Sequence, residues 1–168
     1  MSNTPEAWLR GPLEGVDPYL MPVAHALVQA REDLERATTG LGTDELWAHP
    51  GGAAPIGFHL RHIAGVLDRL LTYARGEMLS EEQMQFLRTE GEPGERPAEV
   101  DRLVDEARAA IEAALEQVRA TPQASLLEPR GVGRKQLPST VLGLLYHAAE
   151  HVTRHTGQII TTAKVVTG

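Results

Sequence analysis

Apolar residues at three-four spacing recur in four separate stretches of this chain, and breakers separate them. The clearest stretch is Val100, Leu103, Val104, Ala107, Ile111, Ala114, Leu115 and Val118, whose intervening positions are largely Glu, Asp and Arg. That spacing puts one apolar stripe on a helix, and the stripe must be buried against another element. Leu20, Val23, Leu27 and Leu34 repeat the pattern after Asp17-Pro18 and stop at Gly40 and Gly42. Ile56, Leu60, Ile63, Leu67, Leu70, Leu71 and Ala74 trace a second helix from about Pro55 to Arg75, with Pro55 suited to a first turn and Gly76 to a stop. Val141, Leu145, Ala148, Val152, Ile159 and Ala163 give the last helix, with Ser139 near its start. Four amphipathic helices and no convincing strand predict an all-α fold, a four-helix bundle.

The connections refine this picture. Thr43-Asp44-Glu45-Leu46-Trp47 reads as one capped turn and His49-Pro50-Gly51-Gly52 as a loop. Ser80-Glu81-Glu82-Gln83 caps a short extra helix reaching Leu87, between helices two and three. A polar insert rich in Gly and Pro, Glu90 to Pro97, follows it. Pro122 breaks helix three, and Pro129 to Pro138 forms a loop with room for a short hairpin.

At 168 residues the chain fits one domain, residues 1–168, with residues 1–18 as an extended N-terminal segment. It has no cysteine, so disulfides and thiolate metal sites are excluded and any metal site must use nitrogen and oxygen donors. A net charge of −7 argues against a general nucleic-acid binder. The small basic cluster Arg130, Arg134 and Lys135 reads as a solvated turn, with an anion-facing loop as the other reading. Met1 to Pro18 has no apolar core for a secretory signal, and no run of 18 apolar residues could span a membrane. Cytoplasmic residence is the expectation.

Chemistry concentrates in the last helix, where His147-Ala-Ala-Glu-His151-Val-Thr-Arg-His155-Thr-Gly-Gln158 places three imidazoles on one flank. Two imidazoles four residues apart can converge on one ion at roughly 2.0–2.1 Å. A further ligand must come from a facing helix, and Ile56-Gly-Phe-His59-Leu-Arg-His62-Ile63 offers two candidates. At about 100° per residue, His59 lies nearer the apolar stripe and His62 on its shoulder, and periodicity does not choose between them. Plainer readings stand beside these. Helix-interface histidines are often ordinary hydrogen-bonded core residues. His25 reads as a surface helix residue and His49 as a loop residue. Trp47 reads as a lid on the core, with stacking on a substrate as its functional alternative. Asp68 and Arg69 read as solvated helix charges. Glu150 and Gln158 could orient an imidazole or a water, or simply face solvent.

Three pieces together resemble the DinB-like (YfiT-like) metalloenzyme family: Leu46-Trp47 before a Gly- and Pro-rich loop, Ile56 with His62-Ile63 six residues on, and His151-x-x-x-His155-Thr-Gly-Gln158. Helix number and order fit as well. The resemblance implies a bundle of the DinB/YfiT-like type and a three-histidine site, His62, His151 and His155, for a divalent metal. His59, His147 and Gln158 remain rivals or outer partners. Thr156 stands where the common form of the motif has Arg, a departure that leaves ligation untouched.

Three neutral histidines leave coordination positions open, as catalytic sites do. Such an ion can lower the pKa of bound water or carry a thiol as thiolate. Family resemblance implies a low-molecular-weight-thiol S-transferase acting on small electrophiles, using bacillithiol, mycothiol or glutathione, or a related hydrolase. The expected metal is zinc or nickel. The hydrolase version is weaker, because Glu150 precedes its histidine instead of following it as in His-Glu-x-x-His. The alternative is a non-catalytic metal- or ligand-binding stress-response protein. Expected partners are a small-molecule substrate and a second copy in a homodimer, with neither nucleic acid nor membrane. No catalytic residue is assigned from sequence.

Overall fold

The computed structural model describes residues 4–93 and 99–168. Among these, six α-helices form: α1 (Met21–Thr38), α2 (Thr43–Leu46), α3 (Ile56–Ala74), α4 (Glu81–Thr89), α5 (Val100–Ala120) and α6 (Val141–Thr167). The four long ones are the expected bundle helices, and the all-α reading holds. Its main packing runs α1 to α6, α6 to α3, α3 to α5 and α5 to α1. Helices α1 and α3 are therefore diagonal partners, and so are α5 and α6. Leu27 and Leu34, Leu60, Ile63 and Leu67, Leu103, Ile111 and Leu115, and Leu145, Val152 and Ile159 fill the middle and are essentially inaccessible. These are the stripe residues of the four periodic segments, and burying each such side chain favours folding by about 1.5–3 kcal/mol.

Boundaries follow local chemistry. Pro55 occupies the N-cap of α3, and beyond its end Gly76 adopts a φ of +81°, the left-handed conformation that stops helices. Arg130 Nε donates to the Ala74 carbonyl at 2.8 Å, so one member of the basic cluster caps α3, while Arg134 and Lys135 stay exposed in a turn. Ser80 caps α4 with the reciprocal Gln83 contact expected of a capping box, and α4 runs to Thr89, two residues past Leu87.

The loop at 129–138, which left room for a short hairpin, holds one, and the expectation of no strand is corrected there: Pro129–Val132 (β1) pairs antiparallel with Leu137–Thr140 (β2). Gly133 at φ +69° and Gln136 at φ +50° supply the tight turn that closes it. Alternation across four-residue strands is too brief to read from sequence. Of the Gly- and Pro-rich insert, residues 94–97 lie outside the described residues.

Helix α4 lies along α3 with its end beside the candidate histidines. Gln83 Nε2 donates to Asp68 Oδ2 at 2.9 Å and to Thr72 Oγ1 at 2.8 Å, while the Arg61 guanidinium sits 5.5 Å from the Phe86 ring centre. Asp68 is exposed as expected. No described helix is long and apolar enough to cross a membrane.

Candidate metal centre

Helices α3 and α6 pack against each other, and their contact places His62 opposite His151 and His155. His62 Nε2 stands 2.9 Å from His151 Nε2, which stands 3.1 Å from His155 Nε2. One ligand atom from each of the three lies within 4.8 Å of the others, and all three rings are half-buried. The i, i+4 spacing on α6 stacks His151 and His155, and His62 closes the group from the facing helix.

Hydrogen bonding fixes which nitrogens point inward. His62 Nδ1 is 2.7 Å from Glu90 Oε1, and a carboxylate can only accept, so Nδ1 carries a proton and in the neutral ring Nε2 presents a lone pair. His155 Nδ1 meets His59 Nδ1 at 2.9 Å. His151 Nδ1 is buried with no hydrogen-bond partner among the described residues. Glu90 is itself clamped by Arg69, with Nη1 to Oε2 at 2.9 Å and Nη2 to Oε1 at 3.2 Å.

The same burial sets the protonation states. It lowers the His151 imidazole to about 4 and His155 to about 3, with neighbouring imidazoles adding to the effect. Burial likewise brings His59 to about 4. These rings are neutral at neutral pH, the form that ligates. Burial alone would raise the Glu90 carboxyl, but hydrogen bonds from His62 and Arg69 outweigh it and hold the group below its ordinary value.

This donor set fits a cation. Three nitrogens at 2.0–2.1 Å from one tetrahedral ion would stand about 3.3–3.4 Å apart, a few tenths wider than the two separations observed. Without an ion, the three inward Nε2 atoms share only the protons that their tautomers leave there, and His62, with its proton on Nδ1, brings none. An ion between them satisfies all three.

The other candidates fall elsewhere. His59 is buried at 5% exposure and spends Nδ1 on His155, so it backs the group. His147 is exposed and joins Glu150 and His151 in a second set within 4.8 Å, but Arg154 Nε holds Glu150 at 3.0 Å and brings positive charge there. Gln158 is exposed and makes no hydrogen bond to the group. His25 rests on the Gly11 carbonyl and His49 on the Ala53 carbonyl, both away from the centre. Trp47 packs on the core and covers Gly57, where an added Cβ would stand 2.7 Å from its ring. Phe58 stacks on His62 with centroids 5.3 Å apart and meets His59 edge-on at 5.1 Å.

Arg69 overturns the solvated-charge reading: it is 7% exposed and paired with a Glu90 that is 5% exposed. Neither was singled out as functional from sequence. The usable sign was position, since Arg69 follows His62 by seven residues and so shares its flank beside the apolar stripe. An arginine there needs a carboxylate.

A family description of the DinB superfamily matches residues 26–159. The chain belongs to the DinB superfamily. The matched span contains His59, His62, Glu90, His151 and His155, so every part of this geometry lies within the DinB-superfamily region. No curated protein matches the sequence.

Proposed function

We propose that this DinB-superfamily protein is a metal-dependent enzyme whose His62, His151 and His155 hold one divalent cation, zinc or nickel by donor type. The observation that carries the reading is the convergence of three Nε2 atoms from two helices, with separations of 2.9 and 3.1 Å and two of the Nδ1 atoms hydrogen-bonded behind them. A cation held there supplies Lewis acidity, easing loss of the proton from a thiol or water that reaches it.

The reaction we assign is transfer of a low-molecular-weight thiol such as bacillithiol, mycothiol or glutathione to a small electrophile. The thiol gives up its proton to solvent, its sulfur forms the new S–C bond, and the electrophile's leaving group departs with its electron pair. Phe58 and Trp47 offer apolar surface at the start of α3 for the electrophile. Hydrolysis is less favoured, because Glu90 is held by His62 and Arg69 and Glu150 by Arg154, so neither carboxylate is free to take a proton from water.

A second reading is a non-catalytic metal-binding stress-response protein, favoured by the donors' coming from two helices that an ion would tie together. Metal analysis of untagged protein tests the shared premise: about one ion per chain is expected, lost in His62→Ala and in His151→Ala. Substoichiometric metal indifferent to both changes would end both readings. Cobalt-substituted protein then separates them, since a spectrum that shifts on adding thiol, together with product from a panel of electrophiles, marks the transferase. An unmoved spectrum marks the passive binder.

A further inference from the structure

We infer that Glu90, clamped by Arg69, is the positioning residue that fixes the tautomer and aim of His62, so that cation affinity depends on the docking of α4 against α3. This rests on the metal-centre reading above. Its starting point is that the pair is a poor way to gain stability. Two nearly inaccessible opposite charges lose hydration that their attraction seldom returns in full, and an apolar pair of similar size would pack as well.

What the apolar pair could not supply is the third contact, His62 Nδ1 to Glu90 Oε1 at 2.7 Å. Because that oxygen only accepts, the proton is kept on Nδ1, and the Nε2 lone pair is turned toward His151. Arg69 occupies both carboxylate oxygens, at 2.9 and 3.2 Å, and so keeps Glu90 from rotating away.

The backbone is shaped for this contact. Gly65 lies on the same flank as His62 and Arg69, at i+3 and i−4 from them. A Cβ there would stand 2.6 Å from Glu90 Oε2, 2.6 Å from the Phe86 ring and 2.7 Å from Arg69 Nη1. A mid-helix glycine costs about 1 kcal/mol relative to alanine, and here it opens the space into which Glu90 closes.

The test measures zinc affinity by chelator competition in the full chain, with helicity recorded for each variant. Glu90→Gln should keep one zinc site per chain yet bind 10–100-fold more weakly, the loss seen when an outer partner of a ligating histidine is removed. Arg69→Met combined with Glu90→Met removes the charges together, should fold as well as wild type, and should show the same weakening. Glu116→Gln, on exposed α5 surface, is the control and should bind like wild type. Nitrogen NMR of the wild-type imidazoles gives a readout independent of any variant, with His62 expected as the Nδ1–H tautomer. Folded Glu90 variants that bind zinc within twofold of wild type, or a His62 carrying its proton on Nε2, overturn the inference. Wild-type protein that takes up neither zinc nor nickel stoichiometrically would instead bring down the metal-centre reading beneath it.

Discussion

His62 and His151 face each other across 2.9 Å, yet they are held in opposite ways. His62 is backed by a carboxylate and a guanidinium from two other points of the chain, whereas His151 has a buried Nδ1 with no hydrogen-bond partner among the described residues. The first is aimed by hydrogen bonds. The second is aimed by its helix, with His155 one turn on and Val152 anchoring that turn in the core. A site can therefore be rigid on one side through an ion-pair relay and on the other through plain helical packing. The two sides should fail differently.

The largest effect should come from breaking the relay on the His62 side. Arg69→Ala leaves the Glu90 charge buried with only His62 for a partner, and removing one member of such a pair typically costs about 3–5 kcal/mol. Urea unfolding should show a loss of that size. A loss under about 1 kcal/mol would mean that water reaches Glu90 and that the relay is not closed. Next in size, His62→Ala and His151→Ala should each weaken zinc binding by more than about 100-fold, beyond the 10–100-fold reserved for outer partners. Chelator titration checks this, and a His151 variant that still binds tightly would show that the packed side contributes no ligand.

Two glycines sharpen the contrast further. Gly65→Ala drives a methyl against Glu90 and Phe86 and should cost about 1–3 kcal/mol as overpacking while also weakening zinc binding. Gly157→Ala on α6, where an added Cβ meets nothing within 4 Å, should instead stabilise the fold by about 0.5–1 kcal/mol. Thermal or urea unfolding of both variants reads the difference in sign. Equal losses would mean that the α3 flank is no more tightly fitted than the α6 surface.

These asymmetries match what could be read from the residues alone. On α6 the pair at 151 and 155 is local information, because a helix puts i and i+4 together whatever else the chain does. The four stripes likewise carried the bundle. His62 was harder: periodicity left it level with His59, and only the resemblance to DinB-like proteins preferred it. The structure separates them by what each Nδ1 touches, since His59 turns its own toward His155.

Glu90 lay beyond sequence reasoning for a physical reason. Its partners sit 21 and 28 residues back along the chain, and it stands in a polar stretch that resembles any solvated insert. Its burial exists only once α4 has folded back over α3. The hairpin at residues 129–140 was obscured in a similar way, being too short for alternation to show. Trp47 and Gly57 were more legible in part: the lid role was expected, while the need for a glycine beneath the ring emerged only from the contact.

The most direct trial of the account is X-ray absorption at the zinc edge on the loaded, untagged wild-type protein. Three imidazole nitrogens at about 2.0–2.1 Å, with the remaining coordination filled by a light exchangeable donor, is the expected result. Fewer than three imidazoles, or a fourth that closes the shell, would contradict it.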